Sequence, residues 1–214
     1  MTTVLLTGFE PFDKDAINPS WEVVQQLHGT TVANATVVAT RLSCVFGKSL
    51  RELESAVKKH QPAIVIAVGQ AGGRAEVTPE RVAINLDDAR IPDNAGKQPI
   101  DQPIHRQGPA AYFSTLPVKA IVQALQRDGV PASLSHSAGT FVCNHVFYGL
   151  MAMQQRYGLQ RCGFIHIPFL PSQAAGRTGV PSMALDDMVR AMRIAVAVSV
   201  KRKRDLRTPG GNTH

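Results

Sequence analysis

The chain of 214 residues has only three cysteines, Cys44, Cys143 and Cys162. An odd number cannot be fully paired within one chain, so we expect reduced thiols and a cytoplasmic location rather than a disulfide framework. No apolar run reaches the roughly 20 residues that a membrane-spanning helix needs. The first nine residues lack the basic start and the long apolar stretch of a secretory signal. These absences argue against a membrane protein and against a secreted one.

The sequence also lacks the common metal-binding and nucleotide-binding motifs. It contains no His-Glu-x-x-His, no Cys-x-x-Cys and no cluster of acids, so we expect no metal and no cofactor. The glycine-rich run 69–74 follows an apolar strand but has no Gly-Lys-Ser/Thr ending, and a proline-containing segment follows it. We interpret these glycines as allowing the backbone to approach a small ligand closely.

Positive charge is concentrated at the end of the chain. The formal net charge is +7, and residues 201–214 carry five basic residues and one acid. No aromatic residues alternate with the basic ones, as a surface that stacks nucleic-acid bases would require. We expect a mobile basic tail over residues 201–214 that binds no nucleic acid. A nucleic-acid-binding module that uses this tail is the non-enzymatic alternative; it predicts salt-dependent binding that is lost when the tail is deleted.

Apolar runs alternate with helical patterns along residues 1–200. Strands are predicted at 4–9, 36–42, 63–68, 81–86, 132–137 and 164–169. Helices are predicted from an Asn18 cap to Gly29, and over 50–57, 118–125, 144–157 and 183–196. This alternation predicts a single catalytic α/β domain. We expect a three-layer sandwich with a largely parallel, mixed central sheet flanked by helices.

Cys143 is the best candidate nucleophile because a predicted strand gives way to a predicted helix just before it. The N–H groups and the positive dipole end of a helix start lower the pKa of a thiol. His166, inside an apolar strand, is the preferred base, since His145 lies two residues from Cys143 and would not share its helix face. Glu80 is a candidate to orient the imidazole, although pairing with Arg81 is an equally good interpretation from spacing alone.

The sequence resembles the pyrrolidone-carboxylate peptidases (pyroglutamyl peptidase type I) over nearly its whole length. The matching runs are Gly8-Phe9-Glu10-Pro11-Phe12, Asn18-Pro19-Ser20-Trp21, Gly69-Gln70-Ala71-Gly72-Gly73-Arg74, Glu80-Arg81-Val82-Ala83-Ile84-Asn85, Asp93-Asn94-Ala95-Gly96, Ser137 to Asn144, and His166-Ile167-Pro168-Phe169-Leu170-Pro171. The long basic tail is not part of the family pattern.

The resemblance implies a cysteine exopeptidase that releases an N-terminal pyroglutamyl residue from peptides. The family's catalytic cysteine, histidine and glutamate correspond to Cys143, His166 and Glu80. The oxyanion would be met by the Cys143 N–H and, by analogy with the family, by Arg90. The resemblance also implies a homotetramer.

A pyroglutamyl ring is flat and carries a lactam, so its site needs apolar faces and a few polar groups. Phe9, Phe12 and Phe141 are expected to supply the faces, and Gln70 to bond the lactam. A different small-substrate hydrolase or a nucleoside phosphorylase of the same architecture is the enzymatic alternative. A phosphorylase needs no thiol, which distinguishes the two.

Overall fold

A computed structural model of the protein describes residues 2–211. Within that range the chain forms eight strands and six helices. The strands are β1 (Thr2–Phe9), β2 (Thr31–Val32), β3 (Ala35–Leu42), β4 (Ile64–Gln70), β5 (Thr78–Pro79), β6 (Val82–Ile84), β7 (Ala111–Phe113) and β8 (Arg161–Ile167). The helices are α1 (Pro19–Gln26), α2 (Lys48–His60), α3 (Val118–Arg127), α4 (Val142–Met153), α5 (Pro171–Ala174) and α6 (Leu185–Lys201). None of the helices within 2–211 combines the length and hydropathy of a membrane span.

Six strands form one central sheet in the order β2-β3-β1-β4-β8-β5. The four central strands are parallel, and the short edge strands β2 and β5 are antiparallel to their neighbours. Strands β6 and β7 pair separately as a two-stranded sheet. The predicted α/β fold with a largely parallel, mixed sheet is confirmed.

The sheet is covered on both faces, which gives the predicted three layers. Alternate residues of β1 point to opposite faces, so Val4 and Leu6 join one buried cluster and Leu5 joins the other. The first cluster contains residues of α1, α3 and α6, and the second contains residues of α2 and α4. Burial on both faces explains why β1, β4 and β8 are mainly apolar rather than alternating.

The start of α1 was correctly predicted from its cap. The Asn18 side chain accepts a hydrogen bond of 3.1 Å from the Ser20 N–H, and Pro19 occupies the first helical position. The Ser20 hydroxyl in turn accepts from the Phe9 N–H at 2.9 Å. These bonds connect the end of β1 to the start of α1.

The predicted strand over residues 132–137 is wrong. This segment pairs with its neighbours only at two isolated bridges, Val77 with Ala132 and Glu80 with Ser135. The segment has the mostly polar sequence Ala-Ser-Leu-Ser-His-Ser. It lies beyond β5, the short strand at the edge of the central sheet. Cys143 therefore follows a loop rather than a strand. The predicted strand 81–86 shortens to β6, which lies outside the central sheet.

Part of the basic tail contacts the folded domain. The Asp205 carboxylate accepts hydrogen bonds from the Lys119 and Ala120 N–H groups at 3.1 and 2.9 Å. It thereby caps the start of α3, which has no side-chain cap of its own. Residues 212–214 lie outside the described range. The mobility predicted for residues 201–214 stays a prediction.

Candidate active site

Cys143 lies in the first turn of α4, as the second residue of that helix. Phe141 precedes the helix in extended conformation, with φ −96° and ψ −164°. The first N–H groups of a helix have no acceptor within it, so the Cys143 N–H is free of the helical ladder. This N–H is suited to bind an oxygen that becomes negatively charged beside the thiol.

The thiol lies against the end of β4. A Cβ atom added at Gly69 would stand 2.9 Å from the Cys143 Sγ and 2.7 Å from the Phe164 ring. Only glycine therefore allows the strand to come this close to the thiol. Gly69 is paired in register with His166 on the adjacent strand β8, so the imidazole and the thiol both lie next to the same residue.

His166 is held by Glu80. Its Nδ1 lies 2.7 Å from the Glu80 Oε1, and both side chains are buried. Because Nδ1 is the atom that donates to the carboxylate, Nε2 is the nitrogen available to exchange a proton with a thiol. Glu80 reaches this position because β5 runs antiparallel to β8, with Thr78 opposite His166. The sequence left this orientation open.

Arg74, not Arg81, is the cation that binds Glu80. Its Nη1 donates to the Glu80 Oε1 at 2.7 Å and to the Thr78 Oγ1 at 2.6 Å, and its Nη2 donates to the Ser137 carbonyl at 3.0 Å. The guanidinium therefore links the glycine-rich segment, Glu80 and the loop that leads to Cys143. Sequence reasoning missed this role, because only the fold brings residue 74 and residue 137 together.

The pKa values of Glu80 and Cys143, the two ionisable groups next to His166, are shifted in opposite directions. Burial alone raises the pKa of Glu80, but hydrogen bonds from His166 and Arg74 and the charge of His166 outweigh it, and the pKa falls below its ordinary value. Burial, with the charge of Glu80, raises the pKa of Cys143 to about 12, while Arg74 opposes the rise. The net direction is upward, so desolvation outweighs the lowering that the helix start favours.

His145, the rival base, has both ring nitrogens occupied. Its Nδ1 lies 2.8 Å from the Asp87 Oδ2, and its Nε2 accepts a hydrogen bond from the Gly47 N–H at 2.9 Å. The ring also packs edge-on against Phe46. These contacts give His145 a structural part: it connects α4 to the two loops that carry residues 47 and 87. They leave no lone pair for a proton from Cys143.

A cavity of about 340 Å³ is lined by residues that are near neighbours of Cys143 and Gly69 in the chain. It is lined by aromatic, amide and charged side chains, among them Phe12, Gln70, Arg90 and Phe141. Neither Cys143 nor His166 belongs to the described lining, but Phe141 precedes Cys143 by two residues, and Gln70 follows Gly69. The volume is near the lower end of the roughly 300–1,000 Å³ of small-molecule sites, which fits one small ring.

The structure separates the predicted substrate-binding residues into two groups. Phe12 packs against Phe141 with ring centroids 6.1 Å apart at the cavity wall. Phe9 lies in the core, 2% exposed, against Phe164, and among the described residues it does not line the cavity. Arg90 is exposed at the cavity, and among the described residues no hydrogen bond or ion pair joins it to Cys143. Its contact with an oxyanion stays a prediction.

Comparison with known proteins decides the family. The sequence model of the family described as pyroglutamyl peptidase matches residues 2–202. The chain belongs to the pyroglutamyl peptidase family. Its relatives include pyrrolidone-carboxylate peptidase 1 of Ralstonia nicotianae, 59% identical, and pyrrolidone-carboxylate peptidase of Klebsiella pneumoniae, 58% identical, each covering 100% of both chains.

Solved structures of the pyroglutamyl peptidase family have the same fold. Pyroglutamyl peptidase I from Bacillus amyloliquefaciens superposes with a TM-score of 0.95 at 50% identity, covering 97% of this chain and 99% of that one. Pyrrolidone carboxyl peptidase from Thermococcus litoralis gives 0.94 at 38% identity, covering 98% and 100%. The family match includes Glu80, Cys143 and His166 and ends at residue 202, so it leaves out most of the basic tail.

Proposed function

We propose that this protein is a cysteine exopeptidase that hydrolyses the amide bond after an N-terminal pyroglutamyl residue of peptides. The observation that supports it most is the buried His166–Glu80 pair at the same strand end as Gly69, against which the Cys143 thiol lies. Family membership supports the substrate, since the relatives are named for the pyroglutamyl, or pyrrolidone-carboxylate, group.

The reaction begins with a protonated thiol, because burial holds the pKa of Cys143 near 12. His166 Nε2 takes the proton as Sγ attacks the carbonyl carbon of the amide bond that is cleaved, not the lactam carbonyl. The oxygen of that carbonyl becomes an oxyanion. Glu80 keeps Nδ1 protonated and stabilises the imidazolium that forms. The imidazolium then protonates the leaving amine, and the C–N bond breaks to give a thioester.

Water completes the cycle. His166, neutral again, accepts a proton from water, which attacks the thioester carbonyl. The C–S bond breaks, free pyroglutamate leaves, and the proton returns to the thiol. Each proton taken by His166 is passed on within the same half-reaction, so no cofactor is required.

The oxyanion is proposed to bind the Cys143 N–H and the Arg90 guanidinium. Arg90→Gln should lower kcat by on the order of 10²–10³-fold with a small change in KM, because it removes a charge needed mainly in the transition state. Steady-state kinetics with a chromogenic pyroglutamyl amide measures this. The matched control is Arg106→Gln, a change of an exposed arginine that also lies between β6 and β7. Unchanged kcat in Arg90→Gln would remove Arg90 from the oxyanion site.

The thiol's protonation can be tested by alkylation with iodoacetamide. In a His166→Ala variant, the labelling rate of Cys143 should rise about tenfold per pH unit from about pH 7 to pH 10 without levelling, because only the thiolate reacts and its pKa is raised. Labelled peptides are counted by mass spectrometry, so that Cys44 and Cys162, both buried, are scored separately. A rate already constant above about pH 8 would show a low-pKa thiolate instead.

Substrate choice tests the function as a whole. The protein should hydrolyse pyroglutamyl amides with a kcat/KM on the order of 10⁴-fold above prolyl amides, which have a ring without the lactam carbonyl. Gln70→Ala should narrow this gap, and Phe141→Ala should raise KM for the pyroglutamyl amide. Equal kcat/KM for the two substrates in the unmodified protein points to a general iminopeptidase. Phosphate-dependent cleavage of a nucleoside, with no effect of thiol alkylation, would favour a phosphorylase.

We further propose a homotetramer that works in the cytoplasm. Assembly is supported by resemblance to the family. The cytoplasm is supported by three free cysteines. A monomer in light scattering, or activity confined to the culture medium, would contradict these two proposals. Nucleic-acid partners are not expected.

A further inference from the structure

The amide of Gln173, on α5, contacts two residues that line the cavity, Asp15 and Gln70, and it has a fixed direction. Its Oε1 accepts a hydrogen bond of 3.0 Å from the Leu170 N–H, and its Nε2 donates to the Asp15 Oδ2 at 3.1 Å and to the Ile17 carbonyl at 3.5 Å. A backbone N–H can only donate, and a carboxylate or carbonyl oxygen can only accept. The alternative orientation of this amide would lose all three bonds, so the surroundings of Gln173 specify which end is which.

This direction passes on to Gln70. The Gln173 Nε2 has two hydrogens, and its two shortest bonds go to the Gln70 Oε1 at 2.9 Å and the Asp15 Oδ2 at 3.1 Å, while the Ile17 carbonyl at 3.5 Å can only share one of them. The carbonyl end of Gln70 is therefore occupied by Gln173, and the Gln70 side chain itself lines the cavity. Its NH₂ group is the end left to meet a ligand. A donor at this position suits a substrate that presents a carbonyl oxygen and does not suit one that presents an N–H.

We propose that Gln173 is a positioning residue for specificity: it turns the Gln70 amide so that its NH₂ donates to the lactam carbonyl of the pyroglutamyl ring. The inference rests on the proposed function and adds a cause for its selectivity. A prolyl ring has no oxygen there, so it would leave the Gln70 donor without a partner, and buried unpaired donors are costly. Pyroglutamate is thus selected by the orientation of the Gln70 amide as well as by the presence of that amide at the cavity.

Gln173→Glu is the sharpest test, because it keeps the size of the side chain and replaces the donor with an acceptor, while it also adds a negative charge. One carboxylate oxygen still accepts from the Leu170 N–H, while the other can no longer donate to the Gln70 Oε1. Gln70 then has to turn its NH₂ toward Glu at 173 and its carbonyl toward the cavity. For the pyroglutamyl amide we expect KM to rise at least about tenfold, with kcat changed much less, and the pyroglutamyl-to-prolyl ratio of kcat/KM to fall by a similar factor.

Two further variants separate this effect from the new charge near Asp15, which also pairs with Arg177. Asp15→Asn keeps an acceptor for the Gln173 NH₂, so the pyroglutamyl-to-prolyl ratio should stay near that of the unmodified protein whatever the absolute rate. The double variant Asp15→Asn with Gln173→Glu removes the like charge but keeps the reversed amide, so its ratio should stay low. A double variant that regains the original ratio would overturn the proposal.

A binding measurement gives a second readout that does not depend on turnover. The bare lactam 2-pyrrolidone should inhibit the unmodified protein competitively, and its Ki should rise at least about tenfold in Gln173→Glu. The alkylation rate of Cys143 should be the same in both proteins, since the nucleophile is untouched. An unchanged Ki and an unchanged substrate ratio in Gln173→Glu would refute the role of Gln173. Failure of the unmodified protein to cleave pyroglutamyl amides would instead refute the proposed function itself.

Discussion

Replacing Cys143 by alanine should abolish hydrolysis of a pyroglutamyl amide and leave the protein folded. The loss in kcat should be on the order of 10⁴-fold or more, since the attacking atom is removed and only the contribution of binding and of the oxyanion site remains. Folding should survive because Sγ is a single atom that already lies close to Gly69, and alanine is the best helix former. Active-site titration and thermal melting, measured on the same preparation, separate chemistry from stability.

Cys162→Ala provides the matched control. It makes the same chemical change at a fully buried thiol of β8, where Sγ lies 3.6 Å from the Met151 Sδ and 3.9 Å from the Thr115 Oγ1. This variant should keep most of its activity and lose some thermal stability, because the change leaves a small cavity in the core. If Cys143→Ala turned over near the rate of the unmodified protein, the covalent mechanism would be wrong.

The parts of the fold that sequence predicted best are those whose signal is local. β1, β4 and β8 have buried residues on both faces, so each appears in the sequence as a mainly apolar run. The beginning of α1 is set by Asn18, whose side-chain bond reaches only two residues along the chain. Such features need no knowledge of what packs around them.

The parts that sequence could not supply depend on residues far apart in the chain. β5 has two residues, and its antiparallel pairing with β8 exists only because the sheet is already formed. That pairing places Glu80 on His166, 86 positions away. The bond from Arg74 to the Ser137 carbonyl spans 63 positions. Nothing in the spacing of these residues could have selected Arg74 over Arg81 as the partner of Glu80.

The thiol shows how a correct local argument can lose to a larger effect. Cys143 does sit at a helix start, and the field there favours the thiolate. The charge effect of a helix end is modest, typically under 1 kcal/mol at an exposed site, whereas desolvation of a buried group can shift a pKa by several units. The desolvation of Cys143 depends on Gly69 and on strands remote in sequence, so the upward direction of its pKa follows from the fold and not from the local sequence. The raised pKa also makes the general base His166 more important for catalysis, since the base must remove the proton from the Cys143 thiol.

His166→Ala should therefore be about as inactive as Cys143→Ala, and the double variant should be no worse than either one. Residues that act as one unit give losses that do not add, and a thiol with a pKa near 12 cannot attack at neutral pH without its base. Glu80→Gln should lose less, on the order of 10²–10³-fold. The glutamine Oε1 can still accept from Nδ1 and Arg74, while the negative charge that stabilises the imidazolium is gone.

His145→Gln is the control for this series. A glutamine can donate to Asp87 and accept from the Gly47 N–H, so both contacts of His145 can persist without an imidazole. We expect kcat within a few-fold of the unmodified protein, measured with the same pyroglutamyl amide. The opposite pattern, an inactive His145→Gln and an active His166→Ala, would assign the base to His145 and would require the Gly47 bond to break in each turnover.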